Sequence, residues 1–272
     1  MSSKPPVVVL LTDFGAGDWY VGVMKGVVLA RLPGVTLVDL SHAVPPGDVR
    51  AGAFVLANGW TWFPEDSVFL VVVDPGVGTK RRPLAVRAAR RYFVGPDNGV
   101  LSPALAEEDA EVRRIEPAAL GAGRITPTFH GRDLFAPAAA HLAGGGSFAS
   151  IGPAVPDPER LGLDMLVVSQ SRLHGRIVYV DRFGNCITDI PGEFLERFAG
   201  EAPGGGLRVS LGALIIDGLV GTYGDASEGD PCALVGSSGR LEIAVRGGDA
   251  RQRLGLAVGD SVEVQRREPA EA

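Results

Sequence analysis

Acidic side chains recur where apolar runs stop, the placement expected of groups that handle a ligand. Asp13 and Asp18 follow Val7 to Leu11, Asp39 falls near the end of Thr36 to Leu40 with His42 just beyond, Asp74 follows Val68 to Val73, and Asp97 follows Tyr92 to Val94. In Leu11-Thr12-Asp13-Phe14-Gly15, and at Asp18, a carboxylate can accept hydrogen bonds from a ribose diol or cap the helix that follows; the residues alone leave both readings open. Asp74 opens Asp74-Pro75-Gly76-Val77-Gly78-Thr79, with Arg81 and Arg82 just beyond. Its two glycines allow a close approach of backbone to ligand, and a neighbouring arginine keeps a carboxylate ionised; the plainer reading is a turn with a surface ion pair. His130, in Thr128-Phe129-His130-Gly131-Arg132-Asp133, and His42 are candidates for proton transfer, although a lone histidine is more often structural. His141 and His174 occupy ordinary helix and strand positions. Downstream, Asn185 in Asp181-Arg182-Phe183-Gly184-Asn185 offers an amide suited to an adenine edge, and Ser237-Ser238-Gly239-Arg240-Leu241-Glu242 is rich in donors for a carboxylate. Tyr223 can stack on a base, a contact worth about 1–3 kcal/mol. Each of these has a plainer reading as a hairpin turn or a core-edge aromatic.

These groups need strands to hold them. Val7 to Leu11, Thr36 to Leu40, Val68 to Val73, Leu84 to Ala88 and Tyr92 to Val94 are rich in Val, Ile and Leu, as strands buried on both faces are. Helices are expected over Tyr20 to Leu32, ended by Pro33-Gly34, over Val49 to Trp60, and over Leu134 to Leu142. Strand and helix in alternation predict an α/β domain, residues 1–160, with a mainly parallel sheet whose carboxyl ends carry the acidic residues. After Gly144-Gly145-Gly146 and the proline-rich stretch from Pro153 to Pro158 the texture changes. Short alternating runs at Gly175 to Val180, Leu207 to Leu211, Ala233 to Val235, Leu241 to Val245 and Ser261 to Gln265 predict a small all-β barrel over residues 172–266. The boundary falls between residues 155 and 172, and the tail after Arg266 is expected to fray.

Composition narrows the function. The 272 residues are 46% hydrophobic and 21% charged, ordinary for a folded globular protein. A net charge of −6, from 26 basic and 32 acidic residues, provides no electrostatic footprint for nucleic acid. The opening apolar run is too short to span a bilayer and lacks a secretory cleavage pattern, so a cytoplasmic protein with no membrane partner is expected. Cys186 and Cys232 lie far apart in apolar stretches, outside any C-x-x-C pair, and read as buried thiols in a reducing compartment.

Five segments in order, L-T-D-F-G at Leu11, D-P-G-V-G-T at Asp74, P-D-N-G-V-L at Pro96, T-F-H-G-R-D at Thr128 and D-R-F-G-N at Asp181, make the chain resemble the S-adenosyl-L-methionine hydroxide adenosyltransferases. That family also contains fluorinating and chlorinating enzymes, and the likeness spans nearly the whole chain. It implies cleavage of S-adenosyl-L-methionine by water to adenosine and L-methionine, with no cofactor and no metal. It also implies a homotrimer whose active sites lie between one subunit's first domain and its neighbour's second. By resemblance Asp13 holds the ribose hydroxyls, and Asn185 and the Gly247 backbone read adenine beside a stacking Tyr223. Asp181 and Ser237 bind the amino-acid end of methionine, with help from Asp18. Asp74, Arg81 and His130 correspond to the set that marks the hydroxide branch, with Arg82 adjacent to Arg81 as the competing assignment. The halogenating relatives carry tyrosines where this chain has Asp74 and His130, whereas Gly131 does not discriminate.

The chemistry so implied is undemanding at the leaving group, because a sulfonium departs as a neutral thioether without an acid. Activating water is harder. Lowering its pKa from about 15.7 to about 7, as a metal can, corresponds to about 12 kcal/mol, beyond what Asp and His supply as a static shift. General-base assistance of about 100-fold to 10,000-fold fits better, with Asp74 and His130 sharing that work and Arg81 keeping Asp74 ionised. Rival readings are a halide-using relative, a metal-dependent hydrolase with ligands among Asp13, Asp18, Asp39, His42 and Asp74, and a purine sensor without turnover.

Overall fold

Aliphatic runs with no face left for water form the middle of the first sheet. In the computed structural model, β1 (Val7–Thr12), α1 (Tyr20–Arg31), β2 (Thr36–Ser41), α2 (Val49–Gly59) and β3 (Val68–Val72) are followed by β4 (Pro83–Ala88) and β5 (Arg91–Pro96). Then come α3 (Ser102–Leu105), β6 (Glu111–Arg114) and α4 (Ala136–Ala143). The described residues are 5–121, 123–162, 166–169, 171–200 and 206–267, and they divide into two units, Met1–Leu161 and Gly162–Ala272. Parts of the expected boundary and of the expected frayed tail lie outside the described residues.

The sheet order is β2-β1-β3-β5-β4-β6. β1 lies parallel to β2 and β3, and β3 parallel to β5, so the strand ends that carry Asp13, Asp39, Asp74 and Asp97 share one edge. All five residues of β3 are buried, as a strand covered on both faces requires. Met24 and Val28 of α1 and the alanines of α4 pack on the Val8, Leu10, Val68 and Leu70 face. On the opposite face Phe69 and Phe93 stack at 5.0 Å, with the Trp60 ring edge-on to Phe93. α2 starts with Asp48 accepting from the Ala51 amide at 2.9 Å and ends in a 3-10 turn at Trp60–Trp62.

The sheet is mixed, which corrects the expectation of a mainly parallel one. β4 pairs antiparallel with both β5 and β6. A parallel pair needs a crossover of a dozen or more residues, and only Ala89 and Arg90 separate β4 from β5. Both adopt positive φ, 45° and 58°, in a hairpin turn that lacks the usual Asn-Gly signature. The Ala89 amide is held by Asp109.

The second unit contains β7 (Val167–Val168), β8 (Arg172–Val180), β9 (Cys186–Pro191), α5 (Gly192–Ala199), β10 (Leu207–Leu211) and β11 (Leu214–Asp217). β12 (Pro231–Val235), β13 (Arg240–Val245), α6 (Ala250–Leu254) and β14 (Ser261–Arg266) complete it. Its strands pair antiparallel in the order β11-β10-β14-β8-β9-β13-β12, with β7 added on β8. Just after β11 the Val220 amide donates to Ala233 of β12 at 2.9 Å, so the two end strands come together and the sheet is nearly closed, barrel-like. Leu195 and Phe198 of α5 join Leu173, Val209, Leu241 and Val264 in its core. Cys186 and Cys232 are buried free thiols, and burial pushes Cys186 up to about 11.

One ion-pair network fastens the last residues of the first unit to its sheet. Arg82 donates to Asp97 at 2.6 Å and to Asp157 at 2.7 Å, and Asp97 also accepts from the Glu159 amide. Removing Asp97 takes one of two carboxylate partners from the partly exposed Arg82 and leaves the Glu159 amide without its acceptor, losses of about 1–3 kcal/mol each. Asp97→Ala is therefore expected to lower unfolding free energy by about 2–3 kcal/mol in urea titrations.

Candidate active site

Asp74 leaves β3 with its side chain only 4% exposed, and Arg81, at 8%, turns back onto it. The guanidinium grips the carboxylate with two bonds, Nε to Oδ1 at 2.9 Å and Nη2 to Oδ2. The same Nη2 lies 2.8 Å from Nδ1 of His130, so one arginine joins all three groups. Below it the Phe135 ring lies 5.2 Å from the guanidinium carbon. Arg82 points into the Asp97–Asp157 network, so of the two arginines it is Arg81 that joins Asp74 to His130.

Local structure explains how Arg81 and His130 meet. Gly78 has φ +79°, and a Cβ there would lie 2.6 Å from the Pro127 carbonyl oxygen, so only glycine lets this turn lie against the chain leading to His130. His130 precedes a π-helical turn, Gly131–Phe135, that widens the start of α4. Asp133 in that turn accepts from the Thr126 amide and hydroxyl, clamping the segment that carries His130. Burial opposes ionisation of Asp133, but its bonds from Arg132 and Thr126 outweigh that and hold it at about 2. Burial, and then the Arg81 charge, push His130 below its ordinary value.

Asp13 sits at the neighbouring strand end. Its Oδ2 accepts from the Gly47 amide at 2.7 Å, while Oδ1 is buried without a partner. Such an orphaned acceptor is costly unless a ligand completes it. Gly47 also faces Pro75, next to Asp74. Behind the loop, Thr12 and His42 are hydrogen bonded at 2.8 Å, His42 Nε2 lies 3.0 Å from Asp39, and Lys25 donates to Asp39 at 2.6 Å. His42 and Asp39 thus brace the strand ends, and Asp18 is exposed in the loop before α1. Among the described residues, no group of three or more His, Cys, Asp or Glu side chains gathers to hold a metal ion.

In the second unit, Asp181 organises its turn by accepting from the amides of Phe183 and Asn185 and from the Asn185 side-chain amide at 3.0 Å. The Asn185 NH2 is thereby turned to Asp181, and its carbonyl oxygen is directed elsewhere as an acceptor. The Gly184 carbonyl accepts from the Arg251 amide, and Arg246 donates to Gly224 and Ala226 beside Tyr223, so the loops of Asn185, Tyr223 and Gly247 come together. Gly247 has φ +66° and lies under Glu228, which leaves no room for a side chain. Ser237 occupies the turn before β13, next to a buried Ser238 hydroxyl without a partner.

A model of the SAM hydroxide adenosyltransferase N-terminal domain matches residues 8–152, and a model of the C-terminal domain of the same family matches residues 175–263. The chain belongs to this family. It is 43% identical over 270 residues to a protein of Thermus thermophilus named (R)-S-adenosyl-L-methionine hydrolase, covering 94% of this chain and 98% of that one. A protein of the same name from Salinispora tropica is 39% identical over 264 residues, covering 95% and 97%. A crystal structure of an uncharacterized conserved protein from Thermotoga maritima superposes with a TM-score of 0.88 at 37% identity, covering 95% of this chain and 99% of that one.

In this hydroxide adenosyltransferase several contributors to the site leave little signal in the sequence. Gly47 and Thr12 shape the Asp13 loop through backbone and long-range bonds that spacing does not reveal, and His42, expected as a candidate for proton transfer, is the partner of Thr12. Asn98, inside the P-D-N-G-V-L segment, donates to the Val73 carbonyl at 2.9 Å and so steadies the residue before Asp74. Glu242, 3% exposed, accepts from the Tyr223 hydroxyl at 2.6 Å and fixes that ring; alternation within β13 places it, but nothing in the sequence names its partner.

Burial raises Glu242 above its ordinary value of 4.5, with nearby Asp181 adding to the effect and the Tyr223 bond opposing it. Between the unfolded and folded values the native state binds more protons than the unfolded chain, so this group makes stability fall as pH rises through that window. Glu242→Gln keeps an acceptor for Tyr223 and removes the titration. Melting curves from about pH 4 to pH 8 are expected to show the variant gaining on the parent as pH rises.

Proposed function

We propose that the chain hydrolyses S-adenosyl-L-methionine at C5′, giving adenosine and L-methionine. The observation that carries this reading is the buried Asp74–Arg81–His130 assembly at a strand end beside the orphaned Asp13 oxygen. Hydrolases with R in their names match almost the whole chain, so the R sulfonium epimer is the first substrate to test. Asp13 Oδ1 would accept from the ribose diol, and the Asn185 carbonyl from the adenine amine, with Tyr223 stacked on the base and the Gly247 backbone at its edge. Asp181, Ser237 and Asp18 would receive the ammonium and carboxylate of the methionine moiety.

The sulfonium needs no acid to leave, and holding water in line with C5′ contributes several kcal/mol through orientation. Asp74, Arg81 and His130 are the groups that would hold that water. We propose further that the enzyme uses neither metal nor cofactor and works in the cytoplasm; no helix among the described residues is long and apolar enough to cross a membrane. A homotrimer pairing one subunit's first unit with its neighbour's second, as the family resemblance implies, would scatter light as about three chains of 28.3 kDa.

The test is product analysis by mass spectrometry in heavy-oxygen water, with each sulfonium epimer, chelator, and chloride present or absent. Label in the 5′-hydroxyl of adenosine, equimolar methionine and indifference to chelator are expected. A halogenated nucleoside would reassign the chemistry to halide attack, and chelator inhibition to a metal hydrolase. Asp74→Asn is expected to lose about 100-fold or more in kcat while still binding adenosine; unchanged turnover would remove Asp74 from the mechanism, and binding without turnover in the parent would favour a sensor.

A further inference from the structure

The geometry points to a division of labour inside the triad: His130 seats the attacking water by donating a hydrogen bond from Nε2, and Asp74 alone takes the water's proton. This inference rests on the hydrolytic reading above and changes the expectation that the two residues share the base. It begins with Arg81, whose guanidinium has donors only. Nη2 lies 2.8 Å from His130 Nδ1, so that nitrogen must present its lone pair. A ring protonated at Nδ1 would set N–H against N–H. The neutral imidazole therefore carries its proton on Nε2 and has no lone pair left with which to accept another.

Asp74 differs. Each of its oxygens takes one bond from Arg81 and keeps a second lone pair. In the step that follows, a water lone pair forms the bond to C5′, the C5′–S bond breaks with its electron pair passing to sulfur, and one water proton passes to Asp74. The proton then leaves to solvent, and His130 ends with the proton it began with. A carboxylate is sufficient, because the oxygen becomes oxonium-like as it bonds to carbon and is then a far stronger acid than any carboxylic acid. Free hydroxide is never required.

Two readings on the full-length enzyme test this. Nitrogen-15 spectra of the histidine rings, with the His130 signal among the four histidines identified by its loss in His130→Gln or His130→Asn, are expected to show unprotonated Nδ1 and protonated Nε2 at neutral pH. A ring protonated at Nδ1 would overturn the assignment. In kinetics, His130→Gln still presents an N–H near the Nε2 position and is expected to keep kcat within about tenfold of the parent, whereas His130→Ala loses about 100-fold. Equal loss in both variants would return His130 to the role of base. Failure of the parent to form labelled adenosine would instead overturn the hydrolytic reading, whichever tautomer the spectra show.

Discussion

The contact on which the site depends is the two-bond grip of Arg81 on Asp74, made almost out of reach of water. Removing two charges from solvent is expensive, and a buried ion pair of this kind is often no better for stability than apolar residues of the same volume. The fold nevertheless devotes several features to it. β3 delivers Asp74, the Gly78 turn brings Arg81 back, Phe135 lies under the guanidinium, and the π turn opens a place for His130. So much support for an arrangement that stability does not demand is intelligible if the arrangement serves chemistry.

A second tier of polar contacts keeps the strand ends in register. Asn98 holds the Val73 carbonyl, Asp133 clamps Thr126, and the Thr12–His42–Asp39–Lys25 chain joins the ends of β1 and β2. None of these needs to touch a substrate. Their common effect is to restrict loops that would otherwise be free to move, which is how a site of short turns reaches the precision that oriented attack requires.

Legibility in the sequence followed the range of the interactions. Strands such as Val68–Val72 are readable because burial on both faces leaves an unbroken aliphatic run, and the Asp at the end of such a run marks the edge where ligands bind. The antiparallel β4–β5 pair departs from the expected mainly parallel sheet because Ala89 and Arg90 adopt positive φ without the residues that usually advertise a hairpin; the short gap between the two runs is the stronger signal. Arg81 and Arg82 could not be told apart by spacing, since their roles are set by Asp97 and Asp157 for one and by His130 for the other. The orphaned oxygen of Asp13 and the Glu242–Tyr223 bond exist only in three dimensions.

Charge balance ties the triad to the kind of substrate proposed for it. With Asp74 ionised, Arg81 cationic and His130 neutral, the assembly carries no net charge, whereas an imidazolium would make it positive and repel an approaching sulfonium. Burial and Arg81, which together disfavour the charged ring, thus do more than fix a tautomer. They leave a triad with no net positive charge to oppose a cationic substrate. In the proposed step positive charge passes from sulfur to the attacking oxygen and its proton, and the Asp74 carboxylate would receive that proton. The arginine that grips Asp74 therefore also helps to keep His130 uncharged, and so joins the placing of the carboxylate to the electrostatics of the triad.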